Sequence, residues 1–274
     1  MKPLPRLKWH KLRRRMADPP FLRDRLAEGL AAGAAIEVDL VASGDGHFVC
    51  LHDLTLDRET TGSGPVRATS RAEIGKLRQR GNDGAPLSSP PLFLDEVVAA
   101  VEQAGRVAPG TVQLDVKEPL EGLDAALLER FGRLLDRSAA SFTASGCDWA
   151  FIERLCEAAP GIRAGFDPLD FYGEELPAEA GWYEELAERT LATAPEAAIY
   201  YLESRLVLAG LEAGVNLVER VKRDGAEVDC WTIDPGRPDL EGVLRRLIGA
   251  GADQITTNDP EALEPMIRSI ASCP

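Results

Sequence analysis

Short apolar runs alternate with longer stretches in which apolar residues recur every three or four positions, almost from one end of the chain to the other. The short runs read as buried strands and the longer ones as amphipathic helices, the pattern of βα units laid around a parallel sheet. Strands are predicted at residues 35–41, 48–51, 111–116, 141–144, 162–166, 198–202, 227–233 and 253–256, with a poorer one at 4–9. Helices are predicted at 20–32, 94–104, 122–137, 148–158, 182–194, 208–224, 240–249 and 260–271. Counting the run at 48–51 with the strand before it leaves eight strands and eight helices, which predicts a closed α/β fold, the (β/α)8 TIM barrel, over an open doubly wound sheet.

The segment from about 54 to 91 breaks this alternation. It carries Thr60-Thr61-Gly62-Ser63-Gly64-Pro65, one short helical stretch near 71–80, and prolines from Pro86 to Pro91. It reads as a small insertion after the second strand, placed over the barrel mouth, since loops this long inside a compact domain are usually functional. An ordinary long surface loop is the alternative. The length of 274 residues suits a single barrel domain spanning 1–274, because such barrels typically need about 250.

Composition narrows the classes. A hydrophobic fraction of 45% and a charged fraction of 28% belong to a soluble globular protein. The net charge of −14 argues against nucleic acid as a partner, since neutralising phosphates needs a basic surface. Lys2, Arg6, Lys8, Lys11, Arg13, Arg14 and Arg15 crowd the opposite sign into the first fifteen residues, as a solvated arm, a phosphate trap or a weak contact for an anionic membrane. No apolar run of signal-peptide or span length follows, so the expectation is a cytoplasmic protein without stable membrane insertion. Cys50, Cys147, Cys156, Cys230 and Cys273 form no CxxC or Cys/His cluster and read as reduced packing thiols.

Candidate chemistry begins at Ile36-Glu37-Val38-Asp39-Leu40, where a two-residue period puts both carboxylates on one strand face. On an inward, desolvated face they need a cation or a donor to offset the cost of burial; a solvated edge strand is the competing reading. Gln113-Leu114-Asp115-Val116-Lys117 repeats the device with a third carboxylate and a lysine, unless these two are a simple surface pair. Three carboxylates without cysteine make a hard, oxygen-rich site suited to Mg²⁺ or Ca²⁺. The three histidines are His10, His47 and His52. His52 ends an apolar run and precedes Asp53, the strand end where barrel enzymes carry catalytic groups, whereas His47 sits at the start of that run, beside a turn.

The order of Gly33-Ala34, Ile36-Glu37-Val38-Asp39, Asp45-Gly46, Leu51-His52-Asp53 and Leu56-Asp57-Arg58-Glu59-Thr60-Thr61-Gly62-Ser63-Gly64 resembles the glycerophosphodiester phosphodiesterase family. Leu114-Asp115-Val116-Lys117, Trp231-Thr232-Ile233-Asp234 and the closing Gly251-Ala252-Asp253-Gln254-Ile255-Thr256-Thr257-Asn258-Asp259-Pro260 resemble its later segments. The resemblance implies a TIM barrel hydrolysing glycerophosphodiesters to an alcohol and glycerol 3-phosphate. It implies Glu37, Asp39 and Asp115 as ligands of a divalent cation, His52 as a catalytic histidine, and Lys117 and Trp231 as substrate contacts. Asp115 stands where the family usually has Glu, one methylene longer. Where the family opens with His-Arg-Gly, this chain has His10-Lys11-Leu12, which makes His10 the candidate first histidine and Lys11 the replacement for arginine. Lysine gives charge without a bidentate fork, and one of Arg13 to Arg15 is available to compensate.

Two rivals stand beside this reading. A lysophospholipase D or sphingomyelinase D-like enzyme could use the same parts, with Phe166, Leu169, Phe171, Tyr172 and Trp182 as an apolar lip. A barrel that binds a phosphorylated ligand without turnover is the other. The oligomeric state is left open.

Overall fold

The computed structural model describes residues 4–105, 107–108, 110–117, 124–222 and 225–272. Lys2, Cys273 and the ends of two expected helices, at 122–123 and 223–224, lie outside them. Among the described residues the strands are β1 (Arg6–Trp9), β2 (Ala35–Ala42), β3 (Phe48–Cys50), β4 (Val112–Val116), β5 (Phe142–Gly146), β6 (Arg163–Phe166), β7 (Ile199–Glu203), β8 (Glu227–Trp231) and β9 (Gln254–Thr257). All but β3 pair in parallel, and β1 bonds to both β9 and β2, so eight strands close into a barrel. The expected TIM barrel is therefore the fold.

Around it lie α1 (Arg23–Ala32), α3 (Leu94–Ala104), α4 (Ala125–Leu135), α5 (Trp149–Ala158), α6 (Ala180–Thr193), α7 (Ser204–Glu212), α8 (Leu217–Val221), α9 (Leu240–Ala250) and α10 (Pro260–Ser272), with the short α2 (Arg71–Ile74) in the insertion. Local chemistry starts and stops them. Asp124 and Asp148 cap α4 and α5 by accepting from Leu127 N at 2.7 Å and Phe151 N at 3.2 Å. Gly33, at φ 66°, closes α1 in the left-handed conformation and turns the chain into β2. The helix expected over 208–224 is two helices, α7 and α8, because Gly214 takes φ 86° between them and ends the helical run.

The strands bury both faces in different ways. Outward residues such as Ile36, Val38, Leu40, Val112 and Leu114 meet the helices in a continuous apolar layer. Inward positions are polar: Lys8, Glu37, Gln113, Thr143 and Asp229 are all buried in the lumen. Glycine at 165 leaves room there for Tyr201, whose ring a Cβ would approach to 2.6 Å.

The run at 48–51 is not a barrel strand. It forms an antiparallel arm on β2, with Leu40 opposite Cys50 and Ala42 opposite Phe48. Because β2 overshoots the rim and β3 returns, the end of β3 comes back to the mouth. His52 thus reaches the site by a hairpin rather than as the tip of a parallel strand. The insertion that follows has its own apolar cluster, in which Leu56, Val66 and Ile74 pack on Val41, Val49, Leu51 and Phe93. Its α2 begins with a capping box between Ser70 and Glu73.

Candidate active site

Strand register assembles the carboxylates. β2 and β4 pair with Asp39 opposite Asp115 and Glu37 opposite Gln113, so all three acids project into one mouth. One oxygen from each of Glu37, Asp39 and Asp115 lies within 4.8 Å of the others. They line a cleft of about 690 Å³ together with His10, Lys11, His52, Lys117 and Trp231. Every predicted site residue therefore meets at one place. His47 does not; it borders a separate groove of about 290 Å³ outside the barrel, with Nε2 3.2 Å from Arg130.

Lysines carry the charge balance. Lys117 Nζ lies 3.0 Å from Asp39 Oδ1 and also bonds Asp115, while Lys11 Nζ lies 3.1 Å from Asp39 Oδ2. Burial opposes ionisation of Asp39, but Lys117 and Lys11 override it and hold its carboxyl well below the usual range. Glu37 goes the other way: burial, then the neighbouring Asp39 and Asp115, push its carboxyl well above the usual range. Burial works against Lys117 too, yet Asp115 and Asp39 raise its ammonium above the ordinary lysine value. The cluster fits a divalent cation. Asp39 Oδ2 is buried and accepts no hydrogen bond despite the nearby Lys11, and the donor set is entirely oxygen.

The two histidines sit in contrasting settings. His10 follows β1, and the next two residues, Lys11 and Leu12, take φ 55° and 59°. Leu12 keeps this left-handed backbone without being glycine, and its full burial in the core offsets a strain of roughly 1–3 kcal/mol. That turn aims Lys11 N at Glu37 Oε2, 2.6 Å away. Asn258 Nδ2 donates to Asp234, so its carbonyl must face His10 Nδ1 at 2.8 Å. His10 therefore carries its proton on Nδ1 and leaves Nε2 bare. Burial pushes its pKa down to about 4, against the pull of Asp39.

His52 is more exposed, and its Nδ1 lies 3.0 Å from Asp53 Oδ1. Arg58 grips Asp53 and, ahead of the His52 contact, brings its carboxyl down to about 2. Glu59 accepts from the backbone N–H groups of His52 and Asp53 at 2.9 and 2.8 Å. The insertion thus clamps the hairpin end that presents His52.

Arg13, Arg14 and Arg15 do not replace the missing fork. Arg14 and Arg15 pair with Glu261, and Arg13 bonds Asn82 and Asn258 beside the site without lining it. The expected apolar lip is mostly packing: Phe166 is fully buried, and Phe171, Tyr172 and Trp182 pack against the core. Leu169 alone of that group lines the mouth. Sequence reasoning missed Asn258, Glu59 and Ser145 as supports; Asn258 lay inside a quoted motif, but nothing local to it marks a partner 248 positions away.

A sequence profile of the glycerophosphoryl diester phosphodiesterase family matches residues 25–262. The chain belongs to that family. It is thereby a phosphoric diester hydrolase by class. A glycerophosphodiester phosphodiesterase of Caldanaerobacter subterraneus subsp. tengcongensis is 26% identical over 239 residues, covering 85% of each chain. Among solved structures, an Oleispira antarctica phosphodiesterase in complex with the product sn-glycerol-3-phosphate superposes with a TM-score of 0.68 at 21% identity, over 97% of both chains. A glycerophosphodiester phosphodiesterase from Parabacteroides distasonis gives 0.71 at 14% identity, over 99% of this chain and 100% of that one. At those identities the solved structures speak to the fold. Among the described residues no helix is long and apolar enough to cross a membrane.

Proposed function

We propose that the protein hydrolyses a glycerophosphodiester to glycerol 3-phosphate and a free alcohol, with Glu37, Asp39 and Asp115 holding Mg²⁺ or Ca²⁺. The observation that carries this reading is the convergence of three carboxylates, two lysines and two unlike histidines on one mouth. Bound there, a divalent cation supplies positive charge to the phosphoryl oxygens. His10, neutral with a bare Nε2, takes the proton from the attacking oxygen, that of water or of the substrate's neighbouring hydroxyl, in which case water then opens the cyclic phosphate to glycerol 3-phosphate. His52, oriented by Asp53, gives a proton to the departing alcohol oxygen. Lys117 and Lys11 turn from the carboxylates to the substrate's phosphate as charge gathers on it. Trp231 Nε1, buried without an acceptor, is a donor for a substrate oxygen. The test is cation-dependent release of glycerol 3-phosphate from a panel of glycerophosphodiesters; no turnover of any diester, with tight binding retained, moves the reading to a non-catalytic barrel.

A second reading, a lysophospholipase D or sphingomyelinase D-like activity, is favoured by one observation. Leu54 on the insertion is 49% exposed and Leu169 after β6 is 38% exposed, and both line the mouth. Large apolar side chains left in water beside a site suit an acyl chain. Replacing both by serine should lower kcat/KM on a long-chain lysophospholipid roughly tenfold or more, from the lost burial, and leave a water-soluble diester unaffected. Equal effects on the two substrates speak against an acyl-binding lip.

A further inference from the structure

Beneath the carboxylates runs a buried hydrogen-bonded chain that the proton transfers do not use. Lys8 lies 3.1 Å from Asp229 Oδ2 and 4.3 Å above the Tyr201 ring, and it donates to Gln113 Oε1. Gln113 Nε2 donates to Ser145 Oγ at 2.9 Å, and Ser145 Oγ lies 2.8 Å from Asp115 Oδ1. The direction of this chain is forced. An ammonium has donors only, so Gln113 must turn its carbonyl to Lys8 and its NH₂ to Ser145. Ser145 then spends an acceptor site on Gln113 and has one proton to give, and Asp115 Oδ1 is nearer than the Leu114 carbonyl at 3.5 Å. Asp229 anchors the far end, accepting from Gln254 and Thr256 at 2.6 Å each.

We infer that this chain locks the rotation of the Asp115 carboxylate so that it offers one oxygen to a cation, and thereby tilts the site toward Mg²⁺ over Ca²⁺. The inference rests on Glu37, Asp39 and Asp115 being the metal site. Two-oxygen coordination requires the carboxylate to turn until both oxygens are equidistant from the ion. The bond from Ser145 holds Oδ1 against that turn, which leaves Oδ2, the oxygen Lys117 holds in the cation-free site, as the one an ion would take in place of the ammonium. Ca²⁺ takes more ligands and readily uses a carboxylate through both oxygens, whereas Mg²⁺ demands a tight octahedron of single oxygens. Ser145, Gln113 and Lys8 are positioning residues in this arrangement, acting on the ion through Asp115.

The test is calorimetric titration of the full chain with Mg²⁺ and with Ca²⁺, read as the ratio of the two Kd values. Ser145→Ala removes the donor and should move the ratio toward Ca²⁺ by about tenfold, the scale typical of ligand-supporting hydrogen bonds. Ser145→Thr keeps the hydroxyl and should stay near wild type. Gln113→Glu keeps the side chain's size but accepts from both Lys8 and Ser145, turning the hydroxyl away from Asp115; it should shift the ratio as Ser145→Ala does. The two ions carry equal charge, so the ratio is insensitive to the added carboxylate, and thermal melts verify folding. An unchanged ratio in both Ser145→Ala and Gln113→Glu overturns the inference and leaves the metal site standing. Absence of binding of either ion to the wild type overturns the metal site and the inference together.

Discussion

Leu114 and Asp115 are adjacent in sequence yet belong to opposite regions of the molecule. Leu114 points outward into an apolar sheath shared by strands and helices, where it is fully buried. Asp115 points inward, into a lumen whose side chains are held by hydrogen bonds and ion pairs. Barrels of this kind usually fill the lumen with branched aliphatic side chains. Here Lys8, Asp229, Gln113 and Ser145 take that place, and each has a partner. The difference assigns labour: nonspecific burial in the sheath stabilises the fold, while the lumen spends its volume on oriented polar groups that reach the mouth.

If that division holds, the largest effect comes from stripping the lumen's proposed ligands. A chelator should abolish turnover and Mg²⁺ or Ca²⁺ should restore it, and Glu37→Gln should weaken cation binding while leaving the melting temperature little changed. Full activity in metal-free protein would contradict the assignment. Because burial, Asp39 and Asp115 push the Glu37 carboxyl above its ordinary range, a proton competes with the cation there, and cation affinity should fall as pH falls, measured by calorimetric titration across pH.

Next in size are the histidines. His52→Ala and His10→Ala should each lower kcat by roughly 10²–10⁴ with the fold intact. A loss confined to His52→Ala would remove His10 from the mechanism and return it to a structural place on the turn after β1.

The sheath gives the opposite signature. Leu114→Ala should cost about 2–5 kcal/mol of stability by denaturant melts, while kcat per folded molecule stays within about twofold. A large kcat loss there would show that the two regions are coupled through β4.

The smallest effect concerns pH and stability. His10 protonates at about 4 in the fold against 6.5 for the free side chain. Between those values the unfolded chain binds the extra proton, so unfolding free energy rises with pH. The contribution of neutral His10 is complete above about pH 6.5 and lost progressively as pH falls toward 4. His10→Gln should flatten that part of the stability profile, and an unchanged slope would mean that His10 is not held neutral.

The alternation of acid and apolar residues in β2 and β4 made the carboxylates and Lys117 visible before any coordinates, because a strand's two-residue period assigns faces from sequence alone. The eight βα units were legible because short apolar runs alternate with stretches of helical period, and His52 was singled out by its motif, although as the end of a barrel strand rather than of a hairpin arm. Antiparallel pairing of β3 depends on contacts with β2 and on the insertion's own apolar cluster, which no local period encodes. The break between α7 and α8 turned on one glycine whose left-handed backbone is seen only in the fold.

Sequence by itself determined which side chains face inward and what charge they bring, since both follow from residue type and local period. Only the tertiary structure decided who holds whom. Asn258 orients His10 across 248 positions, Ser145 reaches Asp115 across 30, and Lys8 sets the direction of a hydrogen-bonded chain across 105. These pairings exist because the first strand lies beside the last and the fourth beside the fifth, while the closed lumen sets Lys8 of the first strand against Gln113 of the fourth; a desolvated polar group must find its partner wherever closure places one.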